Sequence, residues 1–230
     1  MDDLTYLSKQ RPFLEWGESH ELFCSHDKED DYCLGYFNEG YVGCVVDIGA
    51  ADLCTGSNSF KLLYERGWKG ICVDPFKEMY DFSTKVIQTL NLDVKNYHGA
   101  VVSDDYSEET IPINFYFDRP GHSGINKLPW LEPNGRVDNV RSIKIKELLS
   151  GVDHIDVLTI DTEGFDSTIL ESVFSMGIEP TIVIIESDCS IFHPASIVHP
   201  LAHIAEKYSH TKNTQYNKIW TRNDKRFFDG

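Results

Sequence analysis

From Gly43 onward, short β-branched runs of near-continuous apolar character alternate with longer stretches whose apolar residues recur every three or four positions. The first kind predicts strands buried on both faces, and the second predicts amphipathic helices packed over them. We therefore expect a strand at 43–48, a helix from about Ser57 to Arg66 stopped by Gly67, a strand at 70–73 and a helix over 77–90. The pattern goes on with strands around 97–102, 111–117 and 140–145, a short helix at 146–149 and the strand IDVLTI at 155–160. A helix over 167–175, the strand TIVIIE at 181–186, a helix near 201–208 and a last strand NKIWTR at 217–222 complete it. Such alternation predicts an α/β domain, a mostly parallel sheet with helices on both faces.

Two segments fall outside the alternation. Residues 1–40 are rich in acids and aromatics, and KEDDYCLGYF puts Tyr32, Cys33, Tyr36 and Phe37 on one helical face. They are expected to form a helical N-terminal cover belonging to the same domain as residues 41–230. The stretch DRPGHSGINKLPWLEPNGRVD, 118–138, is punctuated by glycine and proline and joins two expected strands. A loop of that length in a compact domain is more often functional than idle.

Composition narrows the partners. A chain of 230 residues with 41% apolar content can bury one full core. Its formal charge of -16 and pI near 4.8 repel phosphate polymers and anionic membranes, and lysine and arginine form no patch beyond KIKE (144–147) and RNDKR (222–226). The expected partner is a small-molecule or glycan acceptor, with no nucleic acid and no membrane; a homo-oligomer is allowed. No apolar run approaches the roughly 18 residues of a membrane span, and the start MDDLTYLSKQ has no basic and apolar leader, so a soluble cytoplasmic protein is expected. The six cysteines form no closely spaced framework and are expected to be reduced.

In an open parallel sheet the ligand lies beyond the carboxyl ends of the strands. Three expected strand ends carry acids here: Asp47-Ile48-Gly49-Ala50, Asp74-Pro75 and Asp161-Thr162-Glu163-Gly164. Asp74 occupies the place where a carboxylate accepts the hydroxyls of an adenosine ribose. That feature is shared by nicotinamide cofactors and S-adenosylmethionine, and ligand charge separates them. The segment CVVDIGAADLCTGSNSF has no G-x-G-x-x-G, and Asp47, Asp52 and Asp161 would crowd a pyrophosphate. A unit charge pair at about 4 Å is worth roughly 1 to 4 kcal/mol between bulk water and a protein surface, which favours a sulfonium with an ammonium.

These residues resemble the FkbM-type methyltransferases of the class I S-adenosylmethionine-dependent superfamily. The resemblance runs from about Val42 to Asn223 and rests on VVDIGA, the Asp74-Pro75 pair, GAVVSD at 99–104, NKIWTR and above all IDVLTIDTEGFDSTIL at 155–170. It implies a Rossmann-like class I methyltransferase fold with a seven-stranded, mostly parallel sheet and a small β insertion. The activity it implies is O-methylation of a hydroxyl on a small molecule or saccharide. It further implies that Asp47, Gly49 and Ala50 line the methionine and ribose of the cofactor and that Asp74 with Pro75 holds the ribose. Ser103 and Asp104 would meet the adenine edge, Asp161 the amino end, and Glu163 would face the transfer zone. Three positions depart from the family pattern: LCT at 53–55 lengthens the turn before Gly56, Thr159 stands where a lysine is common, and Asp74 replaces a glutamate.

If the acceptor is a hydroxyl, a base must take its proton, and Glu163 and the loop residue His122 are the candidates. Competing explanations are specific. Gly49 and Ala50 also suit a bare strand-to-helix turn, and acids at a helix start also serve as caps, which accounts for one of Asp161 and Glu163 but not both. Glu186 and Asp188 end another strand and suit a substrate or divalent-ion contact as well as a solvated terminus. His20, Cys24, His26 and Cys33 match no standard zinc spacing, and His199 with His203 lacks the glutamate of a zincin helix. Tyr116, Phe117 and Trp130 suit a sugar platform or plain packing. At the level of function, the alternatives are a nicotinamide-dependent oxidoreductase and a non-catalytic adenosine-ligand binding protein.

Overall fold

The computed structural model describes residues 2–12, 22–117, 120–124, 135–186 and 202–224. In chain order, α1 (Asp3–Ser8) and α2 (Glu29–Tyr36) precede β1 (Cys44–Ile48), α3 (Phe60–Glu65), β2 (Lys69–Asp74), α4 (Lys77–Leu90) and β3 (Val94–His98). Next come β4 (Ala100–Val102), β5 (Thr110–Phe115), β6 (Arg136–Lys144), α5 (Ile145–Leu148), β7 (Val157–Ile160) and α6 (Asp166–Ser175). The described elements end with β8 (Ile182–Ile185), α7 (Ala202–Ala205), β9 (Tyr208–Asn213) and β10 (Lys218–Arg222).

Seven strands form one sheet in the order β3-β2-β1-β7-β8-β10-β9. The first five are parallel, and β10 pairs antiparallel with both β8 and β9. The sheet is the Rossmann-like frame expected from the alternation, with the strand order reversing beside β1. A second sheet, β4-β6-β5, stands apart as a small insertion.

Alternation along the strands builds two core layers, because successive side chains point to opposite faces. Val46, Ile48, Ile71, Val73, Leu158 and Ile160 pack under α6 through Ile169, Leu170 and Val173. Their neighbours Val45, Cys72, Val157, Ile182 and Ile184 face α3 and α4 through Leu62, Leu63, Phe82 and Val86. Leu7 of α1, Cys33 of α2 and Phe37 join this second layer, so the N-terminal segment shares its core with the sheet.

Two elements differ from the sequence reading. The strand expected at 97–102 is two strands: β3 ends with His98 opposite Asp74, while Ala100–Val102 leaves to pair with Ser142–Lys144 of β6. The handover falls at Gly99, where a Cβ would sit 2.8 Å from the carbonyl oxygen of Arg141. The helix expected near 201–208 covers only Ala202–Ala205, and Tyr208 opens the edge strand β9. The sequence YSHTKN of β9 is mostly exposed and carries no apolar alternation, so its only signal is its pairing with β10. Among the described residues no helix is long and apolar enough to cross a membrane.

Candidate active site at the carboxyl ends of the strands

The end of β1 is shaped by a glycine that nothing else can replace. Gly49 has φ +88, and a Cβ there would lie 1.7 Å from the carbonyl oxygen of Asp161. The chain thus turns tightly between β2 and β7, with the N–H groups of Gly49 and Ala50 both donating to the Val73 carbonyl at 2.9 and 3.1 Å. At the end of β2 the Asp74 carboxylate accepts the N–H of Ala51 at 2.9 Å and that of Phe76 at 2.8 Å. The Pro75 carbonyl oxygen is held 3.1 Å from Nε2 of His98.

A cavity of about 230 Å³ opens over these ends. Of the residues singled out in the sequence, Asp47, Gly49, Ala50, Asp74, Pro75, Asp161, Glu163 and His122 line it. Ser103 and Asp104 do not: Ser103 donates to Asp105 at 2.5 Å, and Asp104 accepts the N–H of Lys146 at 3.1 Å and meets its ammonium at 3.3 Å. The handover at Gly99 explains the displacement, since it carries β4 away into the small sheet and takes the following turn with it. Gly99, Ala100 and Val101 line the cavity instead, together with Phe76, Met79 and Ile113.

Side chains that sequence reasoning did not assign to this cavity also reach it. Asn58, His26, Tyr216 and Asn217 are among them. Pairing brings in the last two, because the β9–β10 turn lies next to the end of β8, where Lys218 faces Ile185. His26 sits in the cavity and Cys33 in the apolar core, so they form no common ligand set; His20 lies outside the described residues. Tyr116 is buried, and Phe117 packs edge-on against Phe115 under the Arg136 guanidinium. Neither lines the cavity; Trp130, Asp188 and His199 lie outside the described residues.

The helix-capping alternative for the two acids after β7 is answered by their neighbours. Asp166 accepts the N–H of Thr162 at 2.8 Å and also its hydroxyl, and the Thr162 hydroxyl accepts the N–H of Phe165 at 3.0 Å. Asp161 and Glu163 are left to face the cavity. Glu163 holds a left-handed backbone, φ +51, under Gly124, where a Cβ would come within 2.5 Å of the Glu163 Cβ. Gly124 pairs with Asn114 of β5 at 2.8 and 3.1 Å, which seats the preceding turn, Pro120–His122, above the acid. Nδ1 of His122 lies 3.4 Å from Oε1 of Glu163.

Desolvation and mutual crowding of carboxyls in a cleft raise their proton affinity. Burial pushes Asp47 up to about 6 against one hydrogen bond from the Ser59 hydroxyl, and Asp74 up to about 7 despite its two N–H donors. Glu163 reaches about 8 through burial and the charges of Glu186 and Asp166. Asp161 and Glu186 are both raised, first by desolvation and then by neighbouring carboxylates, although Asp161 is accessible from the open cavity. The carboxyl oxygens of Asp161, Glu163 and Glu186 lie within 4.8 Å of one another. Such a site holds a cation more readily than an anion.

The loop after β1 offers little to a pyrophosphate. The N–H groups of Gly49 and Ala50 go to Val73, that of Ala51 to Asp74, that of Leu53 to Ala50, and those of Cys54 and Thr55 to Oδ1 of Asp52. A dinucleotide loop presents such donors to its ligand. Here those from Gly49 to Ala51 and from Leu53 to Thr55 are satisfied within the chain, which argues against the oxidoreductase alternative.

A family model described as the methyltransferase FkbM domain matches residues 47–195. The chain belongs to the FkbM methyltransferase family. No curated protein matches it significantly. Among solved structures, the FkbM domain is similar to an RNA methyltransferase from Salinibacter ruber in complex with S-adenosyl-L-homocysteine, with 11% identity, a TM-score of 0.44 and coverage of 83% of this chain and 86% of that one. It is also similar to the N-terminal domain of human METTL16 in complex with SAH (13% identity, TM-score 0.43, 85% and 68% covered) and to WbdD (11%, 0.47, 96% and 48%). The chain spans less than half of the WbdD chain.

The cofactor of the FkbM domain is S-adenosylmethionine, and the residues present fit it. Asp74, its oxygens oriented by two N–H groups, can accept a ribose diol. The apolar wall of Phe76, Met79, Val101 and Ile113 beside it can flank a flat base. The acids of β1, β7 and β8 can face the sulfonium and ammonium.

Proposed function

We propose that this FkbM domain methylates a hydroxyl group on a small molecule or saccharide, with Glu163 as the base and His122 as the relay to solvent. The observation that carries the proposal is the 3.4 Å approach of His122 Nδ1 to Glu163 Oε1 at the cavity wall. S-adenosylmethionine supplies an activated methyl group on a positively charged sulfur. An alcohol attacking it must lose its proton as the new bond forms, and a base whose pKa is near the working pH serves best. Glu163, raised to about 8, is a stronger base than an ordinary carboxylate. A neighbouring cation keeps it ionised when the site is filled. His122 is the more exposed of the pair, 41% against 19% at the side chain, and can hand the proton on to water.

In this proposal Asp47, Gly49 and Ala50 seat the cofactor's methionine and ribose, Asp74 and Pro75 hold the ribose, and Asp161 takes the ammonium. Holding donor and acceptor in line contributes most of the rate, so a rigid seat matters more than the base. A phosphate polymer is disfavoured as acceptor by the charge of -16 and by the acids in the cavity. The test is transfer of labelled methyl from S-adenosylmethionine to panels of saccharides, small alcohols, amines and RNA. Label in saccharides or alcohols is expected. Label confined to amines or RNA overturns the hydroxyl proposal while leaving the methyltransferase family untouched.

A further inference from the structure

The methionine tail of the cofactor ends in a carboxylate as well as an ammonium, and the acids that welcome the cationic centres repel that carboxylate. Asp47, Asp74, Asp161, Glu163 and Glu186 all border the cavity, and no lysine or arginine does so among the described residues. The N–H groups from Gly49 to Ala51 and from Leu53 to Thr55 are already bonded within the chain. A carboxylate therefore needs donors further along the loop or from another segment.

Both are available at one corner. Ser57 and Asn58 line the cavity, and their N–H groups have no hydrogen-bond partner among the described residues. Against this loop lies the ring of His26, brought in by the N-terminal segment. That segment is fixed: Phe23 donates to the Cys54 carbonyl at 2.6 Å, Leu22 bridges to Thr55, and Ser25 bonds to Asp30 through both its N–H and its hydroxyl. The fit at Gly56 is close. A Cβ there would lie 2.1 Å from Nε2 of His26, and the backbone of Gly56 is left-handed, φ +61, so the ring packs on a turn that already favours glycine. The edge of the Tyr216 ring, 5.4 Å away between centroids, closes the other side. His122, the second imidazole in the wall, lies against Glu163.

We infer that His26, together with the loop at Ser57 and Asn58, receives the α-carboxylate of S-adenosylmethionine. The segment before the sheet then completes the cofactor seat, and the bare Cα of Gly56, itself suited to a left-handed turn, leaves room for the ring. The inference rests on the cofactor assignment, and its test separates the two.

Binding of S-adenosylmethionine and of decarboxylated S-adenosylmethionine, which lacks only that carboxylate, is measured by calorimetry for the wild-type chain, His26→Ala and Gly56→Ala. The wild type is expected to prefer the intact compound. His26→Ala should weaken it about tenfold, the worth of a charge-assisted hydrogen bond, and leave the decarboxylated compound within about twofold. Gly56→Ala, which crowds the imidazole and strains the left-handed turn leading into Ser57, should also weaken the intact compound more than the decarboxylated one. Equal losses for both compounds, or no loss for either, overturn the assignment of His26. A wild-type chain that binds neither compound overturns the cofactor assignment instead. His26→Gln, which retains a side-chain N–H donor, should recover part of the preference if the alanine variant folds poorly.

Discussion

The carboxylate of Asp74 accepts the backbone N–H of Ala51 at 2.9 Å, so the end of β2 holds down the loop that follows β1. One side chain both fixes the shape of the cofactor loop and faces the cavity. Asp74→Asn would turn an N–H₂ group toward one of two backbone donors. It is expected to weaken S-adenosylhomocysteine by roughly 10- to 100-fold, since hydrogen bonds to charged groups are worth about 1.5 to 3 kcal/mol each. Calorimetry checks this, with circular dichroism confirming that the sheet remains.

Glu163→Gln keeps shape and hydrogen bonding but removes the base. Methyl transfer to the acceptor found in the label screen should fall by about 10² to 10⁴. Cofactor affinity should stay within a few-fold, because the change also relieves the crowding of Asp161 and Glu186. Unchanged turnover would remove Glu163 from the chemistry.

The raised carboxyls make cofactor binding pH-dependent with a definite sign. Asp47, Asp74 and Glu163 sit at about 6, 7 and 8 in the folded chain against ordinary values of 3.8, 3.8 and 4.5. Between these limits the folded chain holds protons that the unfolded chain has lost. The stability these groups contribute is therefore complete below the unfolded values and is lost as pH rises through 6 to 8. A bound cation favours the ionised forms. Affinity for S-adenosylmethionine should rise from pH 6 to 8, with protons released on binding, and calorimetry in two buffers of different ionisation heat measures the release. S-adenosylhomocysteine, which has no sulfonium, should show a shallower rise.

Gly49 and Gly67 separate strain from collision. Both have left-handed backbones, φ +88 and +62, but a Cβ meets the Asp161 carbonyl at the first and nothing within 4 Å at the second. Gly67→Ala should cost about 1 to 2 kcal/mol, lowering the melting temperature by roughly 2 to 8 °C. Gly49→Ala adds a backbone overlap and should fall well beyond that range or fail to fold. Thermal melts of the two variants decide it.

Much of this was legible in the chain. The apolar runs marked the central parallel strands, and acids at three strand ends marked the cavity, because burial and charge are written locally. What escaped depended on pairing. The break at Gly99 is set by a carbonyl of Arg141 on β6, and β9 is a strand only because β10 lies beside it. The resemblance through GAVVSD implied Ser103 and Asp104 at the adenine edge, whereas the chain leaves the large sheet at Gly99 and neither residue lines the cavity. His26 offered only the signal of an imidazole in an acidic segment, and its place against Gly56 needed the fold.

The departure of β4 from the large sheet also has a bearing on how such domains diversify. Val101 and Ile113, which face the cavity, belong to the three-stranded sheet, whereas Asp47, Asp74 and Asp161 belong to the seven-stranded frame or its ends. Mutations accumulating in the lesser sheet can reshape one wall while the frame keeps its acids in register. The wall beside the base and the acids beneath it thus sit on separately hydrogen-bonded parts of the same polypeptide.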